Sequence, residues 1–375
     1  MIQGSIVDFR VTRFEFARDR VIGDSQIRVD DVQAAAIELI DEQGKVGLGF
    51  INPVLGGLPA EDEIARLFSL EAWPNLQSEF PAALAHRRQK NRGGARRAAS
   101  LGLDEAVQQA VWDLYAKSAN MPLWRLLGGK ERKIRVYASG LDFHLCDEEY
   151  SRFFASAAED GHSAFKIKVG HPDVERDIHR LDLLKKAVGA GAIVMVDANE
   201  AWTPKDAVRA LESYRHAGHD IYWVEDPILR SDLEGLKHLR EAFGPTYLNS
   251  GEYLDYSGKR ALITAGAADV INIGCRPSEA MHLGYCASDK NIELALGNSI
   301  LEMGVNLAIA IPEVRWLEYS YQNLGHLVEA PFVIRDGWIE GSEAPGHGLI
   351  LCEKARRTAR VPHPKDPDRK QCLNR

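Results

Sequence analysis

Four ionisable side chains, each at the end of a short apolar run, recur along the chain at a nearly constant step. They are Lys168, Asp197, Glu225 and Glu252, separated by 29, 28 and 27 residues. A step of this length is about one strand plus one helix, and successive strands of a parallel barrel deliver their carboxyl ends to one face. The spacing therefore predicts one shared site, although an acidic residue at a strand end most often caps a helix.

Three of the four side chains are carboxylates. In a water-poor pocket three carboxylates repel one another unless a cation lies between them. Asp197, Glu225 and Glu252 offer only oxygen and have no His or Cys ligand nearby in the sequence, which favours Mg²⁺ over zinc. The sequence therefore predicts Mg²⁺ as the cofactor and these three residues as its ligands.

Two lysines, Lys166 and Lys168, stand two positions apart in "AFKIKVG", a run typical of a buried strand. Residues at this spacing on a strand point to the same side. Two ammonium groups and a metal close together lower each other's pKa, so we expect one amine to be uncharged at neutral pH and to act as a base. A lone Lys beside a strand usually extends its amine to solvent instead.

Eight β-branched runs must position these residues, each ending in a polar residue and followed by a helix-length amphipathic segment. The runs are "KIRVYASG", "AFKIKVG", "AIVMVDAN", "IYWVEDP", "TYLNSGE", "DVINIG", "IELALGN" and "VRWLEY". Eight strands alternating with helices predict an α/β fold with a closed barrel rather than an open sheet. Before them, "SIVDFRVTRFEF" and "AAAIELIDEQGKVGLGF" predict an antiparallel meander, and residues 61–68 and 103–116 predict helices that pack on it.

This change of pattern divides the chain into three parts. We expect an N-terminal α+β capping domain over residues 1–130 and a (β/α) barrel catalytic domain over residues 131–345. Residues 346–375 are expected to form a C-terminal segment that ends in a polar, basic tail.

The charge balance excludes several classes of partner. A formal net charge of -8 provides no basic surface for nucleic acid or for an anionic membrane. The five cysteines are scattered and form no CxxC pair, so neither a disulfide framework nor a zinc site is predicted. The first residues lack the apolar core of a signal peptide. We expect a cytoplasmic homo-oligomer that acts on a small carboxylic acid, with no nucleic-acid or membrane partner.

Taken together, these motifs resemble the enolase superfamily, in its mandelate racemase and muconate lactonizing enzyme branch. The resemblance is carried by "KIK", "VDAN", "WVEDP" and "SGE" at these spacings, and it extends through "AVWDLYAKSANMPLWRLLGG" and "VRWLEY" to nearly everything except the tail. It implies a modified (β/α)₇β TIM-type barrel with an N-terminal capping domain. It also implies a Mg²⁺-dependent enzyme that removes the proton α to a carboxylate and forms an enediolate.

The resemblance implies a role for each matching residue. The three acids match the family's metal ligands, and Asn199 is expected beside the metal. Lys168 matches the base, and Lys166 the neighbour that lowers its pKa. Glu318, in "WLEY", matches a carboxylic acid that hydrogen-bonds the substrate carboxylate. The resemblance also implies that two loops of the capping domain, residues 17–25 and 50–57, close the mouth of the barrel and select the substrate.

The sequence departs from the racemases of this branch on the face opposite the lysines. Asn298 stands where racemases carry a His on the seventh strand, and Gly274 where members carry Asp or Lys on the sixth. Asn298 and Arg276 are candidates to bind substrate hydroxyls or a carboxylate, although a surface ion pair is the preferred interpretation of Arg276. Two-base racemisation is therefore disfavoured.

One-base chemistry remains, and the favoured reaction is β-elimination of water from a sugar acid or another hydroxy acid, as in the acid-sugar dehydratases of the branch. Two alternatives stay open: a one-base isomerase or cycloisomerase of the lactonizing type, and a racemase-like homologue whose activity is lost or altered. A dinucleotide-binding enzyme is not supported, because the glycines of "GAGAIVMVDAN" precede the strand instead of following it.

Overall fold

The computed structural model describes most of the chain, namely residues 6–51, 58, 98–274, 276–297, 304–322, 324–329 and 332–358. The predicted helix at 61–68, the candidate Asn298 and the basic tail after residue 358 lie outside these residues. No helix among the described residues is long and apolar enough to cross a membrane.

The N-terminal part is a three-stranded antiparallel sheet with a long helix packed on it. The strands β1 (Ile6–Gly23), β2 (Arg28–Asp41) and β3 (Val46–Ile51) follow one another in the sheet as in the sequence. Helix α1 (Ala98–Ser118) lies against this sheet so closely that a Cβ at Gly47 would collide with its backbone. The predicted meander and the predicted helix at 103–116 are therefore both present, and the helix is longer.

Eight parallel strands form the second part of the chain, and each coincides with one of the predicted runs. They are β4 (Lys133–Ser139), β5 (Ala164–Lys168), β6 (Ile193–Asp197), β7 (Trp223–Glu225), β8 (Tyr247–Ser250), β9 (Val270–Ile273), β10 (Glu293–Leu296) and β11 (Val314–Tyr319). The strands are neighbours in sequence order, and β11 pairs with β4 to close the ring. The predicted (β/α)₇β barrel with a capping domain is confirmed.

Helices connect these strands and form the outer layer. They are α3 (Asp147–Glu159), α4 (Val174–Val188), α5 (Pro204–His216), α6 (Leu233–Ala242), α7 (Tyr256–Ala265), α8 (Pro277–Ser288) and α9 (Gly304–Ala310), with the short α2 (Leu123–Leu126) ahead of the barrel. Their starts follow ordinary capping rules. In α5, for example, Thr203 accepts a hydrogen bond from the backbone of Asp206, and Pro204 occupies the first turn.

The inside of the barrel is apolar below the strand ends and polar at them. Met195 and Trp223, both fully buried, lie two positions before Asp197 and Glu225 on their strands. Because residues two apart on a strand face the same side, the carboxylates point into the barrel above this apolar layer. The ring of Trp223 packs edge to face on Tyr137, with 5.2 Å between the ring centroids.

The chain after the barrel returns to the capping sheet. Strands β12 (Ile334–Arg335) and β13 (Trp338–Glu340) extend the barrel sheet antiparallel to β4, and α10 (Glu353–Thr358) follows. Leu349 and Leu351 are buried in a cluster with side chains of the capping sheet such as Phe14. The segment therefore ties the capping sheet to the barrel.

Candidate active site

Strand register aligns three of the four predicted residues at one level of the barrel. Lys168 is the register partner of Asp197, and Asp197 is the register partner of Glu225. Glu252 follows the end of the next strand, β8. Each unit of strand and helix advances the chain by one strand around the ring. Residues separated by about one such unit in the sequence therefore lie on neighbouring strands.

The three acids form a compact group of oxygen ligands. One carboxylate oxygen from each of Asp197, Glu225 and Glu252 lies within 4.8 Å of the other two. Asp197 and Glu225 are fully buried, and Glu252 is partly exposed toward the mouth. Oxygen ligands at this spacing suit a hard divalent cation such as Mg²⁺. The donor set therefore fits the predicted cofactor.

Both lysines point toward these acids, so their side chains share one side of β5. The Nζ atom of Lys168 lies 2.6 Å from Asp197 Oδ2, and the Nζ atom of Lys166 lies 3.4 Å from the same oxygen. Lys166 also lies 2.9 Å from Glu225 Oε2. Their side chains are 5% and 1% exposed, which leaves the carboxylates as their principal partners.

The side chains alone favour protonated lysines, and the expectation that one amine is neutral beside a bound metal stays a prediction. Burial is the largest influence and acts to lower the pKa of Lys168, but Asp197 and Glu252 together outweigh burial and the repulsion from Lys166, and the pKa is raised. Burial also acts to lower the pKa of Lys166, but Glu225 and Glu318 outweigh it, and this pKa is raised as well. The metal that the prediction also invoked would oppose the protonation that these acids favour.

The pKa values of two of the acids, Asp197 and Glu252, are shifted in opposite directions. Burial acts to raise the pKa of Asp197, but Lys168 and Lys166 lower it to about 2. Burial raises the pKa of Glu252 to about 7, assisted by the negative charge of Asp197. Lys168 acts against this rise, and a cation between the three acids would also favour the charged form of Glu252.

Two asparagines that the sequence analysis missed hold the central acid. Asn249 donates from Nδ2 to Glu225 Oε2 at 3.1 Å, and Asn272 donates from Nδ2 to Glu225 Oε1 at 2.9 Å. Both asparagines are fully buried on strands β8 and β9. A signal was available in "DVINIG", because a polar residue inside a buried apolar run requires a partner.

Asn199 and Glu318 lie beside the lysines. The Oδ1 atom of Asn199 accepts a hydrogen bond from Lys168 Nζ at 2.7 Å, and its backbone N–H donates to Asp197 Oδ1 at 3.0 Å. Glu318, 1% exposed, lies 3.0 Å from Lys166 Nζ. The structure thus places both predicted neighbours at the same site as the lysines and the acids.

The side of the mouth that faces the two lysines carries a glycine and an ion pair. Gly274 follows β9, which is four strands away from β5 in the ring of eight and therefore faces it across the barrel. Among the described residues, no heavy atom lies within 4 Å of the position that a Cβ of Gly274 would occupy. Arg276 Nη1 lies 2.6 Å from Glu279 Oε1, and the Arg276 side chain is 13% exposed, so this ion pair is not a surface pair.

The tip of the β1–β2 hairpin reaches this mouth. Strand β1 continues to Gly23, so most of the segment 17–25 is strand and not the loop that the resemblance implied. The backbone N–H of Gly23 donates to the carbonyl of Leu141 at 2.9 Å, and Gln26 donates from Nε2 to the carbonyl of Asn199. Residues 52–57 of the other predicted loop lie outside the described residues.

Comparison with known families agrees with this site. The sequence profile of the family described as "Enolase C-terminal domain-like" matches residues 149–355, which contain β5 to β11 and all three acids. The match spans more than half of the chain. The chain therefore belongs to this family, and the predicted placement in the mandelate racemase and muconate lactonizing enzyme branch of the enolase superfamily is confirmed. It is an enzyme of that superfamily.

Two curated relatives have different activities. The 3,6-anhydro-alpha-L-galactonate cycloisomerase of Streptomyces coelicolor is 29% identical over 86% of this chain and 90% of its own length. The L-talarate/galactarate dehydratase of Salmonella typhimurium is 30% identical over 67% of this chain and 63% of its own length. The described relatives thus include a dehydratase and an isomerase.

Solved structures share the whole architecture. A provisionally named mandelate racemase from Mesorhizobium loti has 53% sequence identity and a TM-score of 0.88, covering 95% of this chain and 94% of its own. The Salmonella dehydratase, liganded with Mg and L-lyxarohydroxamate, has a TM-score of 0.85 at 24% identity, covering 96% of this chain and 94% of its own. The acidic triad and the Mg in the dehydratase structure both agree with the predicted Mg²⁺ cofactor.

Proposed function

We propose that the protein is a Mg²⁺-dependent lyase that removes the proton α to a substrate carboxylate and expels a β-hydroxyl as water. Its substrate is a sugar acid or another hydroxy acid. One observation carries the proposal: Lys168 lies beside the acidic triad, 2.6 Å from Asp197, while Gly274 occupies the facing strand end. The site therefore offers a base on one face, and the facing strand end carries no side chain at Gly274.

The residues divide the work. Asp197, Glu225 and Glu252 hold the Mg²⁺, which when bound supplies positive charge that stabilises a substrate enediolate and opposes protonation of Lys168. Lys168 accepts the α-proton at Nζ. Lys166, 2.9 Å from Glu225 and 3.0 Å from Glu318, keeps a second positive charge next to the developing anion.

A base on one face suggests how water is lost. After the transfer, Lys168 carries the proton that was on the α-carbon. We propose that it returns this proton to the β-hydroxyl leaving from the same face, so that the C–O bond breaks as the carbon–carbon double bond forms. The resulting enol then takes up a solvent proton at the β-carbon, releases the proton of its hydroxyl to solvent and becomes a 2-oxo acid. In this sequence one lysine serves first as base and then as acid.

A one-base isomerase is the second candidate. The Streptomyces cycloisomerase matches 86% of this chain, which is more than the Salmonella dehydratase matches. A cycloisomerase that opens an anhydro ring would use the same first step, abstraction of the α-proton. Its leaving group would be the ether oxygen of the ring instead of a hydroxyl. The two candidates differ in whether the product has lost water.

The test is incubation with a panel of sugar acids, anhydrosugar acids and other hydroxy acids in D₂O with Mg²⁺, followed by mass spectrometry. A product that has lost one water and gained deuterium supports the dehydratase. A product of unchanged composition apart from deuterium supports the isomerase. Absence of α-proton exchange for every acid in the panel, in protein shown to bind Mg²⁺, contradicts both and favours a homologue with lost activity.

A further inference from the structure

The backbone next to each candidate metal ligand adopts an unusual conformation. The φ angles are 46° at Asn199, 65° at Glu200, 40° at Asp226 and 117° at Gly251. Residues other than glycine rarely adopt such positive φ angles, so the segments that contain Asn199, Glu200 and Asp226 persist only where surrounding contacts hold them, whereas Gly251 adopts its angle without strain. The contacts around these turns therefore bear on the placement of the ligands.

Lys259 holds the turn at the third ligand by hydrogen bonds. It lies in the first turn of α7, seven residues after Glu252, and it is only 6% exposed. Its Nζ atom donates to the carbonyl of Gly251, to the carbonyl of Glu252 at 3.1 Å and to the carbonyl of Asn272 at 2.8 Å. The three donors of one ammonium group are thus matched by three converging backbone acceptors.

These acceptors belong to two strand ends of the site. Gly251 and Glu252 form the turn after β8 that carries the third acid. Asn272 is on β9, and its side chain donates to Glu225, the second acid. One buried ammonium therefore fixes the backbone at the third ligand and at a residue that orients the second ligand, without contacting a ligand carboxylate.

The same turn is held from its other side by an acid. Asp226 Oδ1 accepts hydrogen bonds from the backbone N–H of Gly251 at 3.0 Å and from Ser250 Oγ at 2.6 Å. Arg230 donates from Nε to Asp226 Oδ2 at 2.7 Å and lies 3.1 Å from Glu200, which follows β6. The turns after β6, β7 and β8 are thus linked by charged groups behind the three ligands.

We propose that Lys259 is a positioning residue for the metal site, and that its ammonium sets Mg²⁺ affinity by holding the Gly251–Glu252 turn between itself and Asp226. The inference rests on the proposed function in assuming that the acidic triad binds Mg²⁺. Loss of the amine removes a donor from three carbonyls, of which that of Gly251 keeps the backbone N–H of Leu254 at 3.2 Å, and the turn then relaxes to restore the lost hydrogen bonds, which moves Glu252.

The experiment is calorimetric titration of Mg²⁺ into metal-free protein carrying Lys259→Met, a side chain of similar length without donors. The dissociation constant is expected to rise at least tenfold, the scale seen when groups that orient metal ligands are removed. The matched control is Lys237→Met on α6, whose amine is more exposed and pairs with Glu234. Its dissociation constant is expected to equal that of the wild type.

Chemical rescue separates positioning from a general loss of structure. Lys259→Ala leaves space at the carbonyls, and added methylammonium chloride is expected to restore Mg²⁺ affinity, whereas choline chloride at the same ionic strength is not. If Lys259→Met does not fold, the comparison is made with Lys259→Gln, which retains an amide donor but no charge and is expected to bind Mg²⁺ with intermediate affinity.

The possible results separate the role of Lys259 from the proposal that the three acids bind Mg²⁺. Unchanged Mg²⁺ affinity in the Lys259 variants, together with a clear loss in Glu225→Gln, overturns the role of Lys259 and leaves the metal site intact. Loss of affinity that methylammonium does not restore also overturns it, because the site would then depend on the fold of α7 and not on the ammonium. Absence of Mg²⁺ binding in the wild type would overturn the proposed metal site itself.

Discussion

Lys168 Nζ lies 2.6 Å from Asp197 Oδ2, so the candidate base and a candidate metal ligand are hydrogen-bonded to each other. Lys166 Nζ lies 3.4 Å from the same oxygen. A divalent cation bound at Asp197 and the ammonium form of Lys168 are therefore stabilised by the same carboxylate, and they repel each other. Metal binding should favour deprotonation of Lys168, and deprotonation of Lys168 should favour metal binding.

We expect Lys168→Ala to abolish exchange of the substrate α-proton while Mg²⁺ binding is retained. The exchange rate should fall about a thousandfold, the usual contribution of a positioned general base. Mg²⁺ affinity should be kept, because the variant removes an ammonium that competes for Asp197 and leaves all three acids in place. Exchange is followed by NMR in D₂O, and affinity by calorimetric titration.

The control for this variant is Lys185→Ala, which removes an exposed lysine from α4. It should exchange the α-proton at the wild-type rate. Exchange at that rate in Lys168→Ala would remove Lys168 from the role of base.

Glu225→Gln should weaken Mg²⁺ binding by more than about a hundredfold, because loss of a ligand exceeds the effect of losing a group that only orients one. Glutamine has the same shape and keeps one of the two oxygens, so one of the hydrogen bonds from Asn249 and Asn272 is retained and the barrel should stay folded. The comparison is a Mg²⁺ titration against Glu159→Gln, an exposed acid on α3. Equal affinity in the two variants would count against the triad.

The sequence was sufficient to predict the meeting of Lys168, Asp197, Glu225 and Glu252. Parallel strands in a closed ring place their ends at one mouth, so a regular step between polar strand ends carries three-dimensional information. The prediction needed neither exact strand bounds nor side-chain conformations. The fold and the main cluster could therefore be predicted from the order and spacing of the residues alone.

Other features depend on distances that a sequence pattern does not contain. The raised pKa of Lys168 depends on whether Asp197 lies nearer than Lys166, and only the structure shows this. Lys259 acts on backbone carbonyls, which leave no trace in the sequence. Asn272 could have been noticed as a polar residue in an apolar strand, but its partner, Glu225, lies 47 residues away.

Asp113 links helix α1 of the capping domain to the C-terminal segment, and we expect its substitution to reduce the stability of the fold strongly. It is fully buried on α1, and its carboxylate accepts from Leu48 N at 2.9 Å, Lys117 Nζ at 2.7 Å and His347 N at 2.8 Å. Asp113→Ala should lower the free energy of unfolding by about 3 to 5 kcal/mol, because the groups it paired remain buried. Urea unfolding measures the change.

The matched control is Asp30→Ala, since Asp30 pairs with Arg28 on the surface and is 64% exposed. Its free energy of unfolding should change by less than about 1 kcal/mol. A change of that small size in Asp113→Ala would mean that the segment after the barrel is held mainly by its apolar contacts.

His162 should make the fold sensitive to acid between about pH 6.5 and pH 4. It is 5% exposed, and burial lowers its pKa from 6.5 to about 4. The unfolded chain binds a proton in this window and the folded chain does not, so stability present above pH 6.5 is lost as the pH falls. The loss attributable to His162 approaches about 3 kcal/mol below pH 4.

The variant that tests this is His162→Phe, which keeps a ring against Phe165 and Tyr319 but cannot be protonated. The difference in the free energy of unfolding between pH 7 and pH 4 should be smaller than in the wild type by most of that amount. His216→Ala, at an exposed position, should not change it. An identical pH profile in His162→Phe would show that other groups cause the acid sensitivity.

Exchange of the substrate α-proton should proceed with retention of configuration. Lys168 lies on β5, and the strand across the barrel ends at Gly274, which has no side chain to supply a proton from the opposite face. An enediolate formed by Lys168 can therefore be reprotonated from the side that lost the proton. The measurement uses a single enantiomer of a 2-hydroxy acid that exchanges but lacks a β-hydroxyl, in D₂O with Mg²⁺. Chiral chromatography should find deuterated substrate of the starting configuration, and accumulation of the mirror-image acid would show that a second base acts on the opposite face.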